Sequence, residues 1–227
     1  AHAFAIYALA TQATGAASRV VPARPADGPQ PLGHDLAALA TAIDDRTRVV
    51  FVANPNNPTG TWCGAAELAE FLARVPAHVL VVLDEAYAEY VTAPDYPDSL
   101  PWLARHPNLL ITRTFSKIYG LAGLRVGYAL SDPGVAGVLN RVRQPFNVGS
   151  VGQAAALAAL AADDHVARSR ALNTAGRDAL RRGLAAFGWQ VPESMGNFVL
   201  ADTGGPAQPW YDHLLRRGVI VRPVANY

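Results

Sequence analysis

The chain has 227 residues, of which 51% are hydrophobic and 16% charged, so it can bury a full core and is not a disordered chain. Its 19 basic and 18 acidic residues leave a net charge of +1, without the basic excess typical of nucleic-acid binders. No apolar run has the length of a membrane span, and a single cysteine, Cys63, excludes an internal disulfide and fits a reducing cytoplasm. We therefore expect a globular cytoplasmic protein that binds neither nucleic acid nor membrane.

Apolar strands alternate with helical stretches through the first part of the chain, which is typical of an open α/β sheet. The predicted elements, in chain order, are a helix at 4–14, a strand at 19–22, a loop at 22–33, a helix at 35–43, a strand at 48–53, a helix at 65–72 and strands at 79–83, 108–115 and 125–130.

The pattern changes in the last third of the chain. An Ala-rich helical stretch at 151–186, in one helix or two, precedes short predicted strands at 189–191 and 197–200, a helix at 210–217 and a strand at 219–222. These elements predict a smaller α+β unit. We place the boundary near residue 165, which divides the chain into a large domain, residues 1–165, and part of a small domain, residues 166–227.

Polar side chains follow three of the predicted strands, namely Asn57, Asp84 and Lys117. Ligands of open parallel sheets bind beyond the carboxyl ends of the strands, so these residues are candidates for a site. Each also has a structural interpretation: a turn for Asn57, a helix cap for Asp84 and an exposed lysine for Lys117. Lys117 is the only lysine in the chain. Either GC-rich coding explains this count, or the position requires a nucleophilic amine, which arginine cannot supply because it stays protonated.

The chemistry of these side chains matches the needs of pyridoxal 5'-phosphate. A lysine amine forms a Schiff base with an aldehyde, and a carboxylate such as Asp84 keeps the pyridine nitrogen protonated. Asn57 and Tyr87 offer an amide and a phenol to the ring oxygen. Hydroxyl and guanidinium donors for the phosphate are available from Thr114, Ser116 and Arg125.

Other motifs do not fit. The glycines between Gly120 and Gly127 are spaced G-x-x-G-x-x-x-G, which differs from the dinucleotide-binding fingerprint. Lys117 lacks the glycine-rich lead of a phosphate-binding loop, and the six histidines form no H-E-x-x-H pair. We predict no metal site.

Three segments, with the sequences NPTG at 57–60, DEAY at 84–87 and TFSKIYGLAGLRVGY at 114–128, resemble the fold-type I pyridoxal phosphate-dependent aminotransferases. Within that family the chain is most similar to the histidinol-phosphate aminotransferase branch, from residue 4 to its last residue. The resemblance implies a three-layer α/β fold with a mostly parallel sheet, followed by part of a smaller α+β C-terminal domain.

The resemblance also implies roles for individual residues. Lys117 would form the Schiff base and carry the proton, with Asp84 and Tyr87 as further catalytic residues. Phe4 would stack on the cofactor ring, although it also fits a core position of the first helix. The residues near the substrate would be Asn197 and Arg222, although Arg222 also fits a solvent-facing position.

The activity implied by the resemblance is transfer of an amino group from L-histidinol phosphate to 2-oxoglutarate, by a homodimer, in histidine biosynthesis. The products are imidazole acetol phosphate and glutamate. Alternatives with the same motifs are an aromatic amino acid aminotransferase, a threonine-phosphate decarboxylase and a non-catalytic aminotransferase-like domain. Family members also have a phosphate-binding loop before the first residue here and a carboxylate-binding arginine after the last, so we expect a truncated segment.

Overall fold

A four-stranded mixed sheet forms the centre of the fold in the computed structural model, which describes residues 2–28 and 30–224. Its strands are β1 (Val49–Ala53), β2 (Leu80–Asp84), β3 (Leu109–Thr114) and β4 (Gly127–Ser131), which lie side by side in this order. The first three are parallel, and β4 runs antiparallel to β3. The four central strands predicted from the sequence are therefore confirmed.

The register of the sheet brings the ends of the parallel strands together. Ala53, the last residue of β1, lies opposite Asp84, the last residue of β2. Asp84 in turn lies opposite Thr112 of β3. The segments that leave these three strands therefore begin along one edge of the sheet.

Seven α-helices accompany the sheet in the described part of the chain. They are α1 (Ile6–Ala13), α2 (Leu36–Ala42), α3 (Ala65–Arg74), α4 (Pro133–Val142), α5 (Ser150–Leu160), α6 (Asp163–Ala185) and α7 (Gln208–Leu215). The Ala-rich stretch thus forms two helices. The sequence did not predict α4, which begins with Pro133 at its first turn and with the Asp132 carboxylate accepting from Gly134 N at 2.7 Å.

The main core lies between the sheet and the pair α2 and α3. Leu68, Phe71 and Leu72 of α3 recur at helical spacing and are buried, whereas Glu67 and Arg74 occupy the ends of the helix. They pack with strand residues such as Val52, Leu83 and Ile111. This core holds the strand ends in place.

Four short predicted strands do not form. Residues 19–22 are irregular, and the predicted strands at 189–191, 197–200 and 219–222 are reduced to one bridge between Gln190 and Asp202. A strand requires a continuous ladder of hydrogen bonds, and outside the four-stranded sheet the described residues 2–28 and 30–224 form only this isolated bridge. The domain boundary predicted near residue 165 lies in the first turn of α6 and stays a prediction.

Candidate active site

One cavity at the carboxyl edge of the parallel strands collects five of the residues singled out in the sequence. They are Phe4, Asn57, Asp84, Tyr87 and Lys117, and Tyr7, Ala53, Pro55 and Ala86 complete the lining. These residues come from four separate regions of the chain. The fold therefore brings together the amine, carboxylate, amide and phenol that the sequence presents far apart.

The carboxylate of Asp84 is held on both of its oxygens. Tyr7 Oη donates to Asp84 Oδ2 at 2.6 Å, and Ala86 N donates to Oδ1 at 3.2 Å. The Tyr7 ring stacks on Phe51 of β1, with centroids 4.8 Å apart. Burial, followed by the nearby Asp84 charge, raises the pKa of Tyr7 well above its usual value, so the phenol stays protonated and donates.

Tyr7 is a site residue that the sequence analysis did not assign. The signal for Tyr7 was its position three residues after Phe4 in the helix predicted at 4–14. In the structure α1 begins at Ile6, so Phe4 lies just before the helix and Tyr7 lies in its first turn. The two rings meet edge to face, with centroids 5.8 Å apart. Phe4, which is predicted to stack on the cofactor ring, thus contacts the residue whose hydroxyl reaches the Asp84 carboxylate.

The amine of Lys117 lies next to the phenol of Tyr87. Lys117 Nζ is 5.1 Å from the centre of the Tyr87 ring, within the range of a cation–π contact. Asn57 Nδ2 donates to Tyr87 Oη at 3.2 Å. The amide and phenol predicted to act on one atom of a ligand are therefore already in contact.

The loop that presents Asn57 is fixed by its own polar side chains. Asn54 Nδ2 donates to Cys63 O at 3.1 Å, and Cys63 N donates back to Asn54 Oδ1 at 2.9 Å. Thr59 Oγ1 accepts from Asn56 Nδ2 at 2.9 Å. Gly60 ends the motif with φ +74°, a conformation that glycine adopts without strain.

The three predicted phosphate ligands do not line the cavity. Thr114 Oγ1 accepts from Ser116 N at 3.0 Å, which shapes the turn before Lys117. Arg125 is exposed in a left-handed conformation, with φ 55°, and donates to Ala122 O at 2.9 Å. Their role toward a phosphate stays a prediction, because it depends on side-chain positions that a bound group would select.

The two predicted substrate residues also lie outside the lining. Asn197 is exposed, although its side chain is close enough to the Tyr90 hydroxyl to oppose the rise in the pKa of Tyr90 that burial causes. The ring of its neighbour Phe198 meets that of Tyr87 edge to face, with centroids 5.2 Å apart. Arg222 is exposed in the irregular segment after α7. The contact of Phe198 with Tyr87 therefore brings the segment around Asn197 to the site, whereas within the described residues 2–28 and 30–224 no such contact is seen for Arg222.

A buried ion-pair network supports the strand ends behind the cavity. Glu85, which is fully buried, accepts from Arg113 Nε at 2.9 Å and Nη2 at 2.7 Å, and from Ser99 Oγ at 2.5 Å. Burial raises the pKa of Glu85 despite these donors. Glu85 follows Asp84 and Arg113 precedes Thr114, so the network joins the ends of β2 and β3.

The donor set fits pyridoxal phosphate. The amine suits its aldehyde, the Asp84 carboxylate suits its pyridine nitrogen and the Asn57–Tyr87 pair suits its ring oxygen.

Over residues 2–28 and 30–224, no cluster of His, Cys, Asp and Glu is arranged to hold a metal ion. No helix in that same part of the chain is long and apolar enough to cross a membrane.

Comparisons with known proteins point in the same direction. The chain is 62% identical over 226 residues to histidinol-phosphate aminotransferase 2 of Pseudomonas fluorescens and 61% identical to that of Pseudomonas aeruginosa. Each match covers all of this chain and 60% of the relative, so the chain spans about three fifths of the length of these relatives.

A solved structure shares the fold. The histidinol-phosphate aminotransferase of Sinorhizobium meliloti, in complex with pyridoxal-5'-phosphate, superimposes with a TM-score of 0.91 at 33% identity. The match covers 99% of this chain and 61% of that one, which confirms the predicted fold class. The family model for aminotransferase class I and II matches residues 1–227. This chain therefore belongs to the class I and II aminotransferase family.

Proposed function

We propose that the protein is a pyridoxal phosphate-dependent aminotransferase that moves the amino group of L-histidinol phosphate to 2-oxoglutarate. The observation that carries the proposal is the position of Lys117 Nζ above Tyr87, in the same cavity as Asp84. A pyridine aldehyde requires an amine for its aldehyde group and a carboxylate for its ring nitrogen, and both lie in this cavity. The names of relatives with 61–62% identity support the choice of amino donor.

Each cavity residue has one task toward the cofactor. Lys117 would bond to its aldehyde carbon, Asp84 would pair with the pyridine nitrogen, and Asn57 and Tyr87 would hold the ring oxygen. Tyr7 would keep the Asp84 carboxylate in place through its 2.6 Å hydrogen bond. When bound, the cofactor supplies an electron sink for the carbanion that deprotonation leaves. Phe4 offers its ring for stacking, and Thr114, Ser116 and Arg125 would bind the phosphate.

The proton transfer falls to Lys117. Its amine would take the proton from the Cα of the amino donor and hold it for transfer, while the bound cofactor would supply the electron sink for the charge left behind. The apolar surroundings, with Ala53, Pro55 and Ala86 in the lining, limit the access of water to that amine.

Further expectations belong to the same proposal. Asn197 and Arg222 would contact the substrate, and the active protein would be a cytoplasmic homodimer. The contact between the rings of Phe198 and Tyr87 supports the role of Asn197, because it brings the segment around Asn197 to the cavity.

The first test compares Lys117→Ala with Lys117→Arg, which keeps the charge but not the nucleophilic amine. With pyridoxal phosphate added, we expect the wild-type protein to gain visible Schiff-base absorbance and both variants to lack it. An unchanged spectrum in either variant would refute the assignment of Lys117.

A second test addresses the amino donor. Glutamate formation from 2-oxoglutarate is measured with a panel of donors, and we expect L-histidinol phosphate to be preferred over phenylalanine and tyrosine. Activity with the aromatic amino acids alone would overturn the proposed substrate while leaving the cofactor site intact.

A further inference from the structure

The segment 194–198 docks onto the loop that presents Asn57. Met195 N donates to Gly60 O at 2.7 Å, three residues beyond Asn57. Ser194 and Met195 are both buried, at 1% and 5% exposure. The contact therefore joins a segment after α6 to the loop that follows β1.

The side chain of Ser194 organises this segment. Ser194 Oγ accepts from Gly196 N at 3.1 Å and donates to Phe198 O at 2.7 Å. The hydroxyl thus closes a turn that ends at Phe198. The closeness of the packing is seen at Gly60, where an added Cβ would lie 2.0 Å from Ser194 Oγ.

These contacts form a closed ring around Tyr87. Asn57 Nδ2 donates to the phenol at 3.2 Å, and the rings of Phe198 and Tyr87 meet edge to face, with centroids 5.2 Å apart and an interplanar angle of 81°. Ser194 fixes Phe198, and Gly60 anchors the Ser194 segment to the Asn57 loop. The position of the phenol therefore depends on both the Asn57 loop and the Ser194 turn.

We propose that Ser194 is a positioning residue for Tyr87 and acts through Phe198. This inference rests on the proposed function, in which Tyr87 donates to the ring oxygen of the cofactor. A phenol that donates to the ring oxygen would stabilise the negative charge on that oxygen. Without this donor, the charge would hold the proton on the nitrogen of Lys117 more tightly. Displacement of the phenol therefore raises the pH at which the visible absorbance of the bound cofactor changes.

The test is a pH titration of that absorbance in protein saturated with pyridoxal phosphate. Tyr87→Phe is the reference, and we expect it to raise the midpoint by about one pH unit or more, because a hydrogen bond to a charged group is lost. Ser194→Ala and Phe198→Leu should shift the midpoint in the same direction by less. Thr203→Ala, which removes an exposed hydroxyl bonded to Gly205 O, is the matched control and should leave the midpoint unchanged.

Two results would separate the possible failures. If Tyr87→Phe shifts the midpoint but neither Ser194→Ala nor Phe198→Leu does, the positioning role of Ser194 is refuted and the cofactor site stands. If Tyr87→Phe itself leaves the midpoint unchanged, the assignment of the phenol fails and the inference fails with it. Should Ser194→Ala not fold, Ser194→Cys takes its place, since a thiol weakens both hydrogen bonds of the Ser194 side chain, and a midpoint equal to that of wild type would refute the positioning role.

Discussion

Replacement of Gly60 by alanine tests how closely the Asn57 loop and the Ser194 turn pack. The new Cβ would lie 2.0 Å from Ser194 Oγ, 2.4 Å from its Cβ and 2.9 Å from its Cα. Carbon atoms do not approach so closely, so one of the two segments must move. The Ser194 side chain has little freedom to do so, because its hydroxyl is bonded within a buried turn.

The expected cost has two parts. The left-handed backbone of Gly60, at φ +74°, costs an alanine about 1–2 kcal/mol. Overpacking at the contact adds about 1–3 kcal/mol. The free energy of unfolding should therefore fall by about 2–5 kcal/mol. Gly120 has nearly the same backbone, φ +72°, but no atom within 4 Å of an added Cβ, so Gly120→Ala should cost only the first part.

Urea denaturation of both variants measures this difference. Equal losses for Gly60→Ala and Gly120→Ala would show that the contact with Ser194 does not constrain the loop, and the packing argument would be wrong. Adding Ser194→Gly to Gly60→Ala should recover part of the loss, because the two shortest contacts are to the Ser194 side chain.

Two further predictions concern the site and the pH dependence of stability. Tyr7→Phe removes the donor to Asp84 and should weaken pyridoxal phosphate binding about tenfold or more in equilibrium dialysis, whereas Tyr211→Phe should not; equal affinities would contradict the role of Tyr7. Burial raises the pKa of Glu89 above its ordinary 4.5, so the folded state binds more protons and stability falls as pH rises through the folded value. In urea denaturation, the stability of Glu89→Gln relative to wild type should therefore increase between pH 4.5 and 8. The control is Glu70→Gln, on the exposed face of α3, for which we expect no such increase. A stability difference between Glu89→Gln and wild type that stays constant over this pH range would exclude this charge cost.

The strands and their polar ends could be predicted because the signal is local. β1, β2 and β3 are short apolar runs that end at Asn-Pro, Asp-Glu or a Ser-Lys turn, and a parallel sheet aligns such ends without further information. Asn57, Asp84 and Lys117 follow from that rule. The antiparallel direction of β4 could not be predicted in this way, since a strand's orientation is decided by its partner rather than by its own residues.

The remaining differences are tertiary in origin. Residues 19–22 and 219–222 have strand-like composition but are irregular, because strand formation depends on tertiary context as well as on composition. Tyr7 was missed because an aromatic residue on a short helix is usually a core residue, and only the fold shows its hydroxyl on Asp84. Ser194 was missed for a similar reason, since its role comes from contact with a glycine far away in the sequence.

The amine above Tyr87 is also the only side-chain amine in the chain. Borohydride reduction of a carbonyl compound bound there would consequently label one side chain. Cleavage at arginine would release the label on the peptide of residues 114–125, between Arg113 and Arg125. That peptide contains Thr114, Ser116 and Lys117, so a single mass spectrum would report both the occupancy of the site and the identity of the trapped carbonyl compound.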